Sequence, residues 1–379
     1  MKQKSFNLMD YLTMRGDLTF SQSDFNSVDA LILSQIAYNN IEGLVSSEFN
    51  QKITLLELAQ RFIASKDFET RCNMGAMINP LTPELLRTAA KSRRFSNVKV
   101  CGFINKIDEK AIEQFSALTY QLEKDRFVVA LRGTDDTIVG WYEDFNLGYM
   151  PEVPAQKDTR EYISRAMGAL KGHFIITGHS KGGNLSVFGG MSVPKKSLGR
   201  LDAVYNFDGP GFFAPVYERP EFQQIKDRVF AFFPEFCVVG MMFEHVNQYK
   251  IVACSADGIL QHDPFSWNVM GPEFEAAGAF DEASEIFYSS FNAWAKKMSP
   301  QDRKKFIDTF FDVIYASGAK TNYEIDQNKI VCGGKMIAKL AELSEEERKA
   351  VVRAFKVFIK VAKDNIPMFS VFNPKLLVK

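Results

Sequence analysis

The sequence predicts an α/β protein with a mainly parallel central sheet, flanked by helices and extended by helical additions at both ends. Two observations carry this prediction. From about residue 98 to about residue 258, short apolar segments rich in β-branched and aromatic residues alternate with helical patterns, as in chains that build parallel sheets. Before and after that region, apolar residues recur at helical spacing.

Capping signals mark the helical additions. Thr54 and Ser344 are each followed by glutamate three residues later, which is the spacing of a capping box. Thr82 and Ser299 are each followed directly by proline, which favours the first helical position. Ser27 is a further cap candidate. We therefore expect an N-terminal helical segment (1–94) packed on an α/β core (95–272), and a C-terminal helical segment (273–379) packed on the same domain.

Composition excludes several classes of protein. Lys plus Arg and Asp plus Glu both number 46, so the zero net charge and the lack of a basic block argue against a nucleic-acid partner. The N-terminus lacks the apolar region of a signal peptide, and the longest apolar stretch (229–243) is too short to span a bilayer. Five scattered cysteines without a CxxC pair indicate reduced thiols. We expect a cytoplasmic protein without a metal or a cofactor.

Residues 178–182, Gly-His-Ser-Lys-Gly, match the GxSxG pattern of a nucleophile elbow. In that turn the residues two before and two after the serine press together, so both must be small. An apolar strand pattern precedes the motif and a small-residue helical pattern follows it. This context favours Ser180 as a nucleophile over a serine in an ordinary glycine-rich turn.

A serine nucleophile needs a base, and the chain has four histidines. His173 and His179 precede the serine, and we interpret both as structural or surface residues. His262 is favoured over His245 because it follows the last expected strand, where this architecture places its base.

Two carboxylates compete to orient the base. Asp208 follows a strand directly, although an aspartate before Gly-Pro is also typical of a turn. Glu235 also follows a strand, within an apolar run, although it could simply face solvent. Asp208 is the preferred acid, Glu235 stays open, and Asp257 and Asp263 are weaker.

An oxyanion hole needs two hydrogen-bond donors. The backbone N–H of Lys181, the residue after the nucleophile, is one candidate, and Thr134 at the end of an earlier strand is the other. Without the elbow, residues 132–136 would be interpreted as a polar turn. The side chain of Lys181 could meet an anionic substrate group or pair with a nearby carboxylate, and we favour the structural pair.

These residues resemble a known family. "VVALRGT", "WYEDFNLGY" and "IITGHSKGG" look like the fungal-type (class 3) lipases, and "GHSKGGNL", "FDGPGF" and "GILQHD" are more closely similar to a bacterial family of lipase-like α/β-hydrolases known mainly as a domain of unknown function. The resemblance runs from about residue 6 to 272. It implies an α/β-hydrolase fold, with Ser180 as nucleophile, Thr134 as oxyanion residue and His262 as base.

The chain also departs from the lipase pattern. Lys181 stands where lipases usually have leucine, Asn184 where they have alanine, and the Asp-x-Val-Pro motif that holds the lipase acid is not found in "FPEFCVVG". Asp208 therefore remains a candidate acid, and the resemblance supports a fold and a mechanism more than a substrate.

The leading functional hypothesis is a serine hydrolase that cleaves a carboxylic ester, with acyl-lipids and thioesters among the candidate substrates. The apolar run 229–243 would suit an acyl chain, or it is a buried strand followed by a core helix. The alternative is a non-catalytic interaction module that retains the hydrolase fold and uses its helical additions to bind partners.

Overall fold

A central sheet of eight strands organises the molecule, which a computed structural model describes at residues 5–212, 215–245, 248–362 and 366–370. The strands lie side by side in chain order: Ile53–Thr54 (β1), Lys99–Asp108 (β2), Glu113–Glu123 (β3), Arg126–Leu131 (β4), His173–His179 (β5), Leu201–Phe207 (β6), Val229–Pro234 (β7) and Tyr249–Val252 (β8). Strands β1 to β4 pair antiparallel, and β4 to β8 pair parallel. A separate two-stranded sheet joins Val269–Met270 (β9) and Glu273–Phe274 (β10).

Helices surround the sheet and fill both ends of the chain. In order they are Leu8–Arg15 (α1), Ser27–Ile36 (α2), Leu55–Ile63 (α3), Phe68–Cys72 (α4), Thr82–Lys91 (α5), Ile138–Asn146 (α6), Pro154–Ala169 (α7), Lys181–Met191 (α8), Pro220–Gln223 (α9), Glu282–Lys297 (α10), Pro300–Tyr315 (α11), Asn322–Gln327 (α12), Lys329–Glu342 (α13), Glu345–Ala362 (α14) and Pro367–Ser370 (α15).

Both faces of the parallel part of the sheet are covered, which explains the nearly continuous apolar strands. Val128 and Ala130 of β4 share one core with α1, α2, α3 and α5. Phe127, Val129 and Leu131 of the same strand point the other way, into a core with α7 and α8. Because successive side chains of a strand alternate between faces, every position of such a strand must be apolar.

Local capping decides where the helices begin. Thr54 and Ser299 cap α3 and α11 as predicted, through side-chain oxygens that accept from the N–H of the residue three positions on. The cap positions expected at Ser27 and Thr82 are wrong by one residue. Asn26 forms a capping box with Asp29, because its side chain accepts from two backbone N–H groups of the first turn. Leu81 precedes α5 without a side-chain cap.

The two helical segments attach to the core differently. The N-terminal segment is not purely helical, since its residues Ile53–Thr54 add β1 to the edge of the sheet beside β2. The C-terminal helices α11, α13 and α14 share a third apolar core with α6. Within it, the rings of Tyr142 and Phe311 stack with centroids 4.4 Å apart.

This architecture is an α/β-hydrolase fold, as the sequence predicted: a mostly parallel sheet with helices on both faces and an elbow after a central parallel strand. Within the ranges described above, no helix combines the length and the apolar character needed to cross a bilayer.

Candidate active site

Ser180 lies at a sharp turn between β5 and α8. Its backbone has φ +59° and ψ −132°, a strained conformation for a residue with a side chain. A Cβ on Gly178 would overlap the carbonyl oxygen of Gly182, and a Cβ on Gly182 would overlap that of Leu131. The two glycines are therefore required by close backbone approach, and the turn presents the Ser180 hydroxyl at the carboxyl end of the sheet.

The structure brings His262 to this hydroxyl. His262 Nε2 lies 3.0 Å from Ser180 Oγ, and His262 Nδ1 lies 2.5 Å from Asp208 Oδ2. His262 ends a short 3₁₀ helix, Gly258–His262, in the segment that follows β8. Serine, imidazole and carboxylate thus form one continuous chain of hydrogen bonds, in the chain order Ser, Asp, His.

Asp208 is held rigidly where β6 ends. Its backbone is left-handed, with φ +49°, and its N–H donates to the carbonyl of Phe232. Oδ1 accepts from the N–H of Gly240 at 3.1 Å and from the thiol of Cys237 at 3.0 Å, which leaves Oδ2 to His262. Burial and the adjacent Asp208 carboxylate raise the pKa of Cys237 well above its usual value, so the thiol keeps its proton and donates it.

The other acidic candidates lie elsewhere. The carboxylate of Glu235 accepts a long hydrogen bond, 3.4 Å, from the N–H of Cys254. Asp263 accepts from Asn79 Nδ2 at 2.5 Å and from the N–H of Phe265, so it anchors the segment next to His262. Of the two carboxylates that the sequence left open, Asp208 and not Glu235 meets the imidazole.

A cavity of about 620 Å³ opens at Ser180. Its walls are mostly apolar and come from distant parts of the chain. The second half of the run 229–243 contributes Val238, Met242 and Phe243, whereas the first half forms the buried strand β7. The C-terminal helices contribute Phe291, whose ring packs against that of Phe243, together with Ala295 and Ile307.

Residues 89–312 of the chain match the family profile described as Mbeg1-like. The chain belongs to the Mbeg1-like family. Among solved structures, the crystal structure of M37 lipase matches 57% of this chain and 70% of that chain, with 14% identical residues and a TM-score of 0.36. No match was found among curated proteins.

The oxyanion candidates of this Mbeg1-like protein lie at the cavity wall beside Ser180. The N–H of Lys181 belongs to the first turn of α8, where backbone N–H groups have no partner within the helix. Thr134 lines the cavity after β4, and its hydroxyl is hydrogen-bonded to Asp144 Oδ2. Gly133 lets this segment approach, because a Cβ there would lie only 3.1 Å from the Cβ of Ser180.

The side chain of Lys181 is buried, with 1% of the residue exposed. Its ammonium donates to the Gln114 carbonyl and to Gln114 Oε1, both at 2.7 Å, and to Glu143 Oε2 at 3.0 Å. Glu143 in turn accepts from the N–H of Gln114 and of Ala155. This arrangement is the structural pair that the sequence analysis favoured for Lys181.

Sequence reasoning did not identify two residues that contact the segment carrying His262 or its neighbour, namely His179 and Tyr38. His179 Nε2 lies 2.9 Å from the carbonyl oxygen of His262, and burial holds the pKa of His179 well below its usual value, so the neutral ring donates from Nε2. Its Nδ1 lies 3.3 Å from the hydroxyl of Tyr38. Tyr38 lies far from the serine in the chain, at the end of the segment 25–38 that also resembles the lipase-like family, and it was not a site candidate; His179 lies beside the serine and was interpreted as structural.

Asn184, noted in the sequence only as a departure from the lipase pattern, ties α8 to the segment after Asp208. Its Nδ2 donates to the carbonyls of Pro210 and Gly211, at 3.1 and 3.0 Å, and its Oδ1 accepts from Gln156. His173 is exposed and pairs with Asp202, and the ring of His245 packs edge-to-face against Phe233. The described part of the Mbeg1-like chain holds no cluster of three or more His, Cys, Asp or Glu residues suited to a metal ion.

Proposed function

We propose that this protein is a serine hydrolase that cleaves carboxylic esters through an acyl-enzyme on Ser180. The proposal rests above all on one observation, the hydrogen-bonded chain from Ser180 through His262 to Asp208 at the mouth of an apolar cavity. Geometry of this kind allows the imidazole to take the serine proton as the hydroxyl attacks a carbonyl carbon.

The reaction would proceed in two halves. In the first, a bond forms between Ser180 Oγ and the acyl carbon, the proton passes to His262 Nε2, and the tetrahedral intermediate expels the alcohol, which takes that proton. In the second, water attacks the acyl-enzyme, His262 accepts its proton, and the carboxylic acid leaves as Ser180 recovers a proton. Asp208 would orient the ring and stabilise the imidazolium, while the N–H of Lys181 and the hydroxyl of Thr134 would hold the oxyanion.

The cavity favours an acyl chain as the part of the substrate that binds there. About 620 Å³ lies within the usual range of small-molecule sites, roughly 300–1,000 Å³, and apolar walls gain free energy by excluding water from a hydrocarbon chain. The apolar lining by residues such as Met242, Phe243 and Phe291 supports esters of medium or long acyl chains. A thioester would use the same groups, because only the leaving group differs.

A fluorophosphonate probe tests the proposal, because it reacts with activated serine nucleophiles. We expect stoichiometric labelling of the folded protein at Ser180 and loss of labelling in Ser180→Ala. Turnover of p-nitrophenyl esters should follow the same pattern and should favour longer acyl chains over acetate. Folded protein that neither takes up the probe nor hydrolyses any ester would instead favour the non-catalytic interaction module.

A further inference from the structure

The hydroxyl of Thr134 has a single proton, and this limits what it can do. It is hydrogen-bonded to Asp144 Oδ2. If the carboxyl group of Asp144 is ionised, it can only accept, so the proton of Thr134 points at Asp144 and away from the substrate. If Asp144 is protonated, its own O–H can donate to Thr134 Oγ1, and the proton of Thr134 is available to an oxyanion.

The ammonium of Lys181 lies near Asp144 but donates its hydrogen bonds to other groups. An ammonium group has three N–H donors, and those of Lys181 are taken by the carbonyl and Oε1 of Gln114 and by Glu143 Oε2. The charge of Lys181 is balanced by Glu143. Asp144 Oδ1 is buried and has no hydrogen-bond partner among the described residues. Asp144 as a whole is half-buried at the cavity wall, but ionisation would leave the buried Oδ1 without a donor, so the neutral acid is favoured.

Other charged groups face Asp144 from the elements around it. Glu143 on the same helix and Asp135 before it oppose ionisation of Asp144, and Lys181 at the start of α8 favours it. Burial outweighs these charges and raises the pKa of Asp144 to about 7. The remaining titratable groups of the cavity wall are Tyr38, His179, His262, Asp263, Arg303 and Arg353.

We propose that Asp144 is a positioning residue that works as a neutral carboxylic acid, donating its proton to Thr134 Oγ1 so that the Thr134 hydroxyl donates to the oxyanion. This inference rests on the proposed function, because it assigns Asp144 a part in stabilising the same tetrahedral intermediate. The Asp144 side chain is hydrogen-bonded to Thr134 and acts through it.

The sign of the pH dependence follows. As the pH rises through about 7, Asp144 ionises and accepts the hydrogen bond of the Thr134 hydroxyl, so the oxyanion loses one donor. Loss of one such donor costs on the order of 10²- to 10³-fold in kcat. The kcat/KM of the wild-type protein should therefore fall roughly tenfold or more between pH 7 and pH 9.

The variant Asp144→Asn distinguishes a neutral Asp144 from an ionised one. Its amide N–H can donate to Thr134 at every pH, as only the protonated carboxyl group can. We expect Asp144→Asn to lose less than about threefold in kcat/KM between pH 7 and pH 9, and to exceed the wild type at pH 9. Asp144→Leu, which has no donor, should be weak at both pH values. Asp202→Asn, an exposed change of the same charge far from the cavity, should keep the wild-type profile.

A second measurement does not depend on activity. In protein labelled with ¹³C at aspartate carboxyl groups, the resonance missing from Asp144→Asn should titrate near pH 7. Titration of that resonance below about pH 5, or an Asp144→Asn variant as weak as Asp144→Leu at every pH, would overturn the neutral-acid role. If Ser180 does not react with the fluorophosphonate probe, the proposed hydrolase function is contradicted. The carboxyl titration is independent of that result and still gives the protonation state of Asp144.

Discussion

At the residue scale, Asp208 shows how a strained backbone can fix a polar contact. The left-handed conformation at φ +49° and the bonds from Gly240 and Cys237 leave a single oxygen directed at His262. Two hydrogen bonds from the segment 237–240 therefore set the direction of the carboxylate. The fold alone thus fixes the direction of the carboxylate, which is the preorganisation that the proposed role of Asp208 requires.

The first prediction concerns this carboxylate and its competitor. Asp208→Asn should lower kcat on a short ester by about 10³- to 10⁴-fold, because an amide neither selects the required tautomer nor stabilises the imidazolium. Glu235→Gln is the matched control and should stay within about twofold of the wild type, since Glu235 does not contact His262. Steady-state turnover of p-nitrophenyl butyrate measures both. A severe loss in Glu235→Gln with an active Asp208→Asn would reverse the assignment.

The sequence correctly placed both carboxylates at the carboxyl end of the parallel strands, but it could not decide which of them contacts His262. Asp208 follows β6 and Glu235 follows β7, and neighbouring parallel strands end at the same edge. The choice depends on backbone dihedral angles and on the thiol of Cys237, which no local pattern reveals. The proximity of Ser180 and His262 was predictable, because glycine spacing and chain order constrain both positions strongly.

At the element scale, the Lys181 ammonium joins three elements. Its partners belong to β3, through Gln114, and to α6, through Glu143, while Lys181 itself begins α8. The buried pair thus holds the elbow against the sheet and against the helix that carries Asp144.

The second prediction tests this connection. Lys181→Met should lower the free energy of unfolding by about 3–5 kcal/mol, because Glu143 is left as a buried charge without its cation. It should leave the ratio of turnover on anionic and neutral esters unchanged. The control Lys349→Met removes a surface pair with Glu345 and should cost less than about 0.5 kcal/mol. Urea unfolding measures the stabilities.

Two outcomes would contradict a structural role for Lys181. One is a Lys181→Met protein as stable as Lys349→Met. The other is a selective loss of turnover on anionic esters, which would mean that the ammonium meets the substrate. A double-mutant cycle with Glu143→Gln should give a coupling energy of about 1–3 kcal/mol, because the two side chains are in direct contact.

Helix starts were predictable where the expected side chain caps the helix, as at Thr54 and Ser299. At α2 the expected cap was Ser27, but its neighbour Asn26 caps the helix. The small strand β1 escaped prediction because two residues carry no periodicity. Its place is set by pairing with β2, a contact distant in sequence.

At the scale of the whole molecule, residues of the α/β core and of the C-terminal helices together line the cavity. Core residues such as Val238 and Met242 line it together with residues of α10 and α11 such as Ala295 and Ile307. The sequence predicted both regions but not the cavity, because its shape depends on how α10, α11 and α14 pack over the sheet edge.

The third prediction is a change in acyl-chain preference. Ala295→Phe should lower kcat/KM on a twelve-carbon ester by at least about tenfold relative to a four-carbon ester, because the larger ring fills space inside the cavity. Ala293→Phe lies two residues away on the exposed side of α10 and should leave the ratio of the two rates as it is. If both variants shift that ratio equally, or neither does, the acyl chain lies outside the cavity.

The order in which the strands follow one another bears on how the protein is made. Thr134, Ser180, Asp208 and His262 emerge from the ribosome in the order of their strands, and α10, α11 and α14 come after all of them. If the core of the nascent chain folds first, the apolar residues that line the cavity are exposed to water until these helices are synthesised. Exposed apolar surface of this kind promotes aggregation, so the need for chaperones should be concentrated in that interval of translation.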